Sequence, residues 1–245
     1  MSNKNSSDIA DTLKTIIYAI LIAVGVRTVA YEPFNIPSGS MLPTLLVGDY
    51  LFVSKFSYGY SKHSLIMSLP LFSGRIFETM PERGDVAVFK KPTDNSTDYI
   101  KRIIGLPGDR IQVLDGILHI NDKPVERVRA GIHVDTDTWG NKHEIPRYIE
   151  TLPNGKKHYI LEVSDTALMD NTPVYTIPQG HVFGMGDNRD NSQDSRFLNA
   201  VGFIPMENLV GRADFLFFSI HNAPFWQFWN WGSSLRTSRF FEGIE

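Results

Sequence analysis

The 245-residue chain contains no cysteine. That excludes disulfides, thiolate catalysis and Cys-ligated zinc or iron–sulfur centres together; it leaves the compartment open, because a sufficient core needs no staples even in an oxidising space. Histidines are present, but His63, His119, His133, His143, His158, His181 and His221 form no recognisable triad setting. No His-x-x-x-His pair offers a hydrolytic zinc site, and no Gly-x-Ser-x-Gly elbow occurs. A global basic field is missing as well: 24 Lys and Arg against 27 Asp and Glu leave a net charge of −3. Nothing of that kind recruits nucleic acid, and Lys90-Lys91 and Lys156-Lys157 read as solvated turns. Internal repeats are absent, and so are long, strongly periodic helical stretches after residue 31.

What is present suits a globular protein, with 42% hydrophobic and 21% charged residues, 19 Gly and 14 Pro. The length allows one large β-rich domain or a core with an insertion. Near the N-terminus lies an apolar run, Ile16–Val26, shorter than the ~20 residues of a spanning helix. Widening it to Thr15–Tyr31 places Arg27 near the outer edge, where its long stem can snorkel. A cleaved signal peptide is the rival reading, with Lys4 and Lys14 ahead of the run and Thr28-Val29-Ala30 as a cleavage site; a buried core helix is the third. Cleavage after Ala30 leaves the serine motif described next on a frayed end, which favours an uncleaved anchor. Lys4 and Lys14 place the N-terminus inside and the bulk of the chain outside.

Beyond Tyr31 the signals are mostly β. Tyr50–Val53, Asp85–Phe89 and Tyr99–Ile104 are short β-branched or aromatic runs bounded by turn residues. Arg110–Leu114, Asp115-Gly116 and Ile117–Ile120 carry the signature of a type I′ hairpin. From about Asn121 to Thr176 the chain turns polar, with broken strands at His158–Leu161 and Val174-Tyr175. The core resumes at His181–Met185, and Leu209–Ile220 reads as a late strand. In the tail, Phe225–Trp231 holds three of the four tryptophans, suited equally to a membrane interface and to an aromatic cluster closing a barrel end.

Three stretches could carry chemistry. In Pro37-Ser38-Gly39-Ser40-Met41-Leu42-Pro43-Thr44, Gly39 permits a sharp turn and the prolines restrict the chain on either side. Such a turn can present a hydroxyl and a backbone N–H to the same point, but Ser-Gly-Ser alone describes many ordinary turns. A serine needs a base. Lys101, in an otherwise apolar strand with Tyr99 and Ile103 on its face, can serve if burial lowers its pKa; a lone strand lysine can equally be an edge residue that discourages aggregation. The third stretch is Gly186–Arg196. Its Asp and Asn density fails the EF-hand pattern, with Arg189 at the third position counted from Asp187, and its two arginines among three aspartates suggest an internally paired network.

In order along the chain, these stretches resemble the type I signal peptidases, membrane-bound Ser/Lys proteases that remove signal peptides from exported proteins. The resemblance covers nearly everything after residue 31. It rests on Ser38–Thr44, on Arg83-Gly84-Asp85-Val86 before Val88-Phe89, and on Tyr99–Arg102 leading to Gly105–Asp109. Gly186–Ser192 with Asp194-Ser195-Arg196 follows, and the tail Leu235–Arg239 also looks like the family's end. The resemblance implies Ser40 as nucleophile, Lys101 as general base and Ser38 as an oxyanion donor beside the Ser40 N–H. Ser192 would hydrogen-bond and orient Lys101, with Asp187, Asp194 and Arg196 holding the site together. Phe34, Ile36, Pro37, Leu45, Tyr99 and Ile100 correspond to the pocket walls.

The implied fold is mostly β: a barrel-like β catalytic domain with an inserted smaller β domain, preceded by one N-terminal transmembrane helix. On this sequence that gives a cytoplasmic tail at 1–14, an anchor at 15–31, the core at 32–120 and 177–245, and the insertion at 121–176. The implied substrates are secretory preproteins with small residues at positions −1 and −3. No cofactor, metal or nucleic acid is called for, and membrane lipid is the other partner. The implied location is the bacterial inner membrane, single-pass, with the catalytic domain on the periplasmic side. Some relatives carry two membrane segments, whereas one is legible here. The rivals are a self-cleaving Ser/Lys protease of the SOS repressor type, for whose DNA-binding domain the thirty residues before the motif leave no room, and an exported β-rich binding module with a cleaved signal peptide.

Overall fold

A computed structural model of the chain describes residues 3–65, 68, 72–136, 141–221, 229 and 231–244. Helix α1 (Asn3–Val29) opens the chain. Its Asp11–Val29 portion is long and apolar enough to cross a membrane, and none of that portion is buried against the body. Apolar side chains on every face, among them Ile16, Leu21, Ile22 and Val26, are exposed, the pattern of a helix suited to a surround of lipid. The helix extends back through most of the 1–14 tail, and one turn residue after it, strand β1 (Tyr31–Asn35) begins.

The junction is tied by charge and by a backbone acceptor. Glu32 binds Arg27 at 2.7 Å and the buried Lys55 at 2.7 Å, while the Tyr60 hydroxyl donates to the Val29 carbonyl at 2.6 Å. Burial alone would raise the Glu32 carboxyl; the two cations outweigh it and hold it below its ordinary value.

The remaining strands are β2 (Asp49–Ser54), β3 (Tyr60–Ser61), β4 (Arg75–Ile76), β5 (Val86–Lys90), β6 (Asp98–Gly105), β7 (Arg110–Leu114), β8 (Ile117–Ile120), β9 (Lys123–Pro124), β10 (Glu126–Thr136), β11 (Lys142–Thr151), β12 (Lys157–Leu161), β13 (Tyr175–Thr176), β14 (His181–Met185), β15 (Ile204–Pro205) and β16 (Leu209–Ser219). Six of them join β1 in one seven-stranded antiparallel sheet in the order β1-β2-β16-β5-β6-β14-β15. Register shifts within β16, at Leu209/Gly211, Ala213/Phe215 and Leu216/Phe218, add the bends that curl it into a half-barrel. The curl brings β1 round to face β6 across a cleft. Leu51, Val53, Val86, Val88 and Leu216 fill its interior.

Between β6 and β14 the chain leaves this sheet. The hairpin β7–β8 turns at Asp115 and Gly116, whose φ values of 48° and 71° fit the type I′ geometry. It pairs with β9 and β13 in a four-stranded sheet, while β10, β11 and β12 form a three-stranded one. The excursion from the large sheet is therefore wider than 121–176. Ile111, Val113, Leu118 and Ile120 of the hairpin close a shared core with Ile104 and Phe183 of the large sheet, so the hairpin belongs to the seam between the two.

Of the aromatic tail, residues 225–228 lie outside the described residues. Trp231 begins the short helix α2 (Trp231–Ser234), its ring 5.0 Å from Phe218, and Trp229 is exposed. Among the described residues no other helix of more than one turn follows α1.

The curl also depends on close approach of β16 to β2. A Cβ on Gly211 would lie 2.3 Å from the Ser54 carbonyl oxygen, and backbone cannot swing aside as a side chain can. Gly211→Ala should cost ~1–3 kcal/mol, read as a lower unfolding midpoint in detergent; an unchanged midpoint contradicts this packing.

Candidate active site

The turn that carries Ser40 is built from short-range constraint and one distant clamp. Ser38 is extended (φ −133°) and is followed by a single 3-10 turn, Gly39–Met41, with the Met41 side chain buried. Asn188, far along the chain, holds this turn from behind: its side-chain amide donates to the Gly39 carbonyl at 3.0 Å and its backbone N–H to the Ser40 carbonyl at 3.1 Å. The Ser40 hydroxyl is left facing Lys101.

Lys101 lies on β6 opposite Ala87 of β5 and is 3% exposed, so it is no solvent-facing edge lysine. Its Nζ donates to Ser40 Oγ at 2.7 Å and to the Ile100 carbonyl at 2.9 Å. Gly184 of β14 makes room for it, since a Cβ there would come 3.0 Å from the Lys101 Cβ. Burial is the main cause that lowers the amine's pKa to about 8; Asp194 and Asp187 pull the other way, and Arg196 adds to the lowering. A neutral amine at hydrogen-bond distance from a hydroxyl can take its proton.

Two buried ion pairs stand behind the pair. Arg102 forks onto Asp187 with Nε and Nη2 each at 2.8 Å, and Thr44 donates to the same carboxylate at 2.5 Å. Arg196 grips Asp194 at 2.9 Å through both nitrogens, and the Gly186 N–H adds a bond at 3.0 Å. Burial would raise both carboxyls; the guanidiniums outweigh it and hold them below the ordinary range. Arg189 departs from the expected internal pairing of the loop, for it forks onto Glu150 of β11 at 2.9 and 2.5 Å. The loop is thereby fastened to the three-stranded sheet.

A cleft of about 520 Å³ opens beside the Ser40 hydroxyl. Phe34, Ile36, Pro37, Ser38, Tyr99 and Ile100 line it, together with Val88, Thr97 and Gln193. Tyr99 is held by a bond from its hydroxyl to Gln193 Oε1 at 3.0 Å. Leu45 is not on this wall. It is fully buried with Met41 and Leu51, because an apolar side chain one turn beyond the serine motif finds the sheet interior first. Ser192 lies within the site, but its buried hydroxyl has no hydrogen-bond partner and makes no bond to Lys101.

A family model described as signal peptidase, peptidase S26, matches residues 9–218 of the chain. The chain belongs to this family. A protein named Signal peptidase I from Rickettsia typhi is 40% identical over 262 residues, covering 99% of this chain and 97% of that protein. Its namesake from Rickettsia conorii is 46% identical over 210 residues, covering 82% and 77%. A crystal structure of a signal peptidase I from Enterococcus faecalis matches at 23% identity and a TM-score of 0.31, covering 55% of this chain and 97% of that one.

Three residues of this peptidase's site have roles that their local sequence does not mark. Arg102 carries the charge that keeps Asp187 ionised, and Asn188 clamps the serine turn. Gly186 allows a close approach: a Cβ there would meet Ser192 Oγ at 2.1 Å and the Ser40 carbonyl at 2.5 Å. All three stood inside quoted motifs. Each has a partner far away in sequence, Asp187 for Arg102, Gly39 for Asn188 and Ser40 for Gly186. Arg102 is 1% exposed, so Asp187→Asn leaves a buried guanidinium without its counter-charge. The expected loss is ~3–5 kcal/mol of unfolding free energy, measured by denaturant titration; a loss below ~1 kcal/mol would show that the pair is not structural.

Proposed function

We propose that the chain is a membrane-anchored serine endopeptidase that removes N-terminal signal peptides from exported preproteins, with Ser40 as nucleophile and Lys101 as general base. The observation that carries the reading is the 2.7 Å contact between a buried amine and the Ser40 hydroxyl. Neutral Lys101 takes the hydroxyl proton as Oγ attacks the scissile carbonyl. The resulting oxyanion accepts hydrogen bonds from the Ser40 N–H and the Ser38 hydroxyl, which lines the cleft. The Lys101 ammonium then protonates the departing amine, which becomes the new N-terminus of the mature protein, and the signal peptide stays esterified to Ser40. Lys101, neutral again, deprotonates a water that attacks the ester; the ammonium returns its proton to Ser40 and the signal peptide leaves as a carboxylic acid, which gives its proton to solvent. Asp187, Asp194 and Arg196 position these groups.

The substrate binds as a strand. β6 pairs with β5 along its length, but on its other side β14 engages only from Arg102 onward. Residues 98–101 therefore present an unpaired edge in the cleft, where an extended peptide adds main-chain hydrogen bonds. Alternate side chains of that peptide point between Phe34, Ile36, Tyr99 and Ile100, whose bulk leaves shallow depressions for small residues at −1 and −3. Lys4 and Lys14 hold the N-terminus in the cytoplasm, so the single span of α1 leaves the site on the outer face of the bacterial inner membrane, against lipid.

Cleavage of a precursor by detergent-solubilised enzyme tests the chemistry. Ser40→Ala and Lys101→Met should each lower turnover ~10⁴-fold or more, and near-normal turnover by Lys101→Met would end the assignment. Because the base must be neutral, kcat/KM should climb with pH until a plateau above about 8; a plateau already reached at acid pH would contradict it. Replacing Ala by Leu at −1 should slow cleavage by roughly 10–200-fold, the ~1–3 kcal/mol of forcing a larger group between packed walls. Equal rates would refute the shallow pockets.

A further inference from the structure

Away from the cleft, three carboxylates converge where the insertion meets the loop behind Ser40. One oxygen each from Glu162, Asp170 and Asp190 lies within 4.8 Å of the others. Glu162 is 3% and Asp170 0% exposed, yet Glu162 Oε2 and Asp170 Oδ1 have no hydrogen-bond partner. The neighbouring cations are committed elsewhere: Arg189 to Glu150 at 2.5 Å, Arg196 to Asp194 at 2.9 Å and Arg127 to Asp165 at 2.9 Å. Buried carboxylates with orphan oxygens and no counter-charge are costly unless something neutralises them.

We propose that Glu162, Asp170 and Asp190 hold a hard divalent cation of the Ca²⁺ type. The donor set is all oxygen, which suits Ca²⁺ rather than zinc. Oxygens on opposite sides of one Ca²⁺ stand ~4.8 Å apart, twice a bond of ~2.4 Å, so the observed spacing fits a single ion. The carboxylates are already aimed. Asp170 Oδ2 is fixed by the Ala167 N–H at 2.5 Å, and Asp190 Oδ2 by the N–H groups of Val163 at 2.7 Å and Ser164 at 3.1 Å. Asp190 is only half-buried, which leaves a side open for water to complete the coordination.

The ion would fasten two parts of the chain that matter to each other. Asp190 sits in the 3-10 turn Arg189–Asn191, next to Asn188, whose bonds hold the Ser40 turn. Glu162 and Asp170 belong to the segment that leaves β12 of the insertion. The competing explanation is a proton shared between Glu162 and Asp170, which neutralises the pair without a metal.

The test uses the full chain in detergent, freed of metal with a chelator and titrated with CaCl₂ by calorimetry, with unfolding followed in parallel. Saturable one-site binding is expected, with a Tm rise of about 5 °C at a hundredfold excess over Kd. Both should be lost in Glu162→Gln and in Asp170→Asn, and kept in Asp165→Asn, a neighbour outside the cluster. The wild-type titration decides alone if a cluster variant does not fold. Absence of both heat and Tm shift at millimolar Ca²⁺ overturns the proposal, as does binding that Asp165→Asn abolishes. A Tm that falls from about pH 5 to 9 and ignores Ca²⁺ establishes the shared proton instead.

Discussion

An amine kept out of water beside a hydroxyl is the contact on which the rest of the molecule depends. In water a lysine is charged at neutral pH and has no lone pair to offer. The desolvation that lowers Lys101 toward about 8 is therefore the physical condition for the proposed chemistry, and it needs packing on every side. β5 supplies one wall, Gly184 lets β14 approach as a second, and the Ser40 turn forms the third. Asp187 and Asp194 are close enough to pull the amine back toward its charged form. Their pairing with Arg102 and Arg196 blunts that pull, so the two buried ion pairs serve the proposed base as well as the fold.

Function and architecture meet in the loop from Gly186 to Arg196. Asn188 and Gly186 touch the serine turn, Asp187 reaches β6 through Arg102, and Arg189 crosses to Glu150 of the insertion. The three-stranded sheet is thus no passive excursion, since its longest ribbon contributes a buried carboxylate to the scaffold under the site. At the other end of the molecule, Glu32 joins the last turn of α1 to Lys55 at the end of β2. β1, which lines the cleft, starts directly after that helix, so a membrane anchor in α1 would set how far the cleft stands from lipid.

Much of this was legible in the sequence, for local reasons. Short β-branched and aromatic runs mark the core strands, the Asp115-Gly116 dipeptide fixes a turn, and an apolar run with lysines ahead of it marks α1. The Ser-Gly-Ser turn and a lysine within an apolar strand stand out because each breaks its local pattern. What escaped notice is what depends on long-range contacts. The hairpin β7–β8 can be recognised as a hairpin, but nothing local says that it pairs with Tyr175–Thr176 and so widens the excursion. Leu45 is apolar and near the motif; whether it faces cleft or core is decided by the curl of the sheet. Arg102, next to Lys101, gives no sign that its partner is Asp187, and the expected bond from Ser192 to Lys101 is absent.

The central claim concerns the charge state of one amine, and the most direct measurement is an NMR titration of Lys101 in protein labelled with ¹³C at lysine Cε, assigned by comparison with Lys101→Arg. A Lys101 resonance titrating near pH 8, well apart from the other lysines, is the predicted result. A midpoint at or above about 10, among the solvent-exposed lysines, would show that the site does not hold a neutral base, and would contradict the Ser40/Lys101 mechanism.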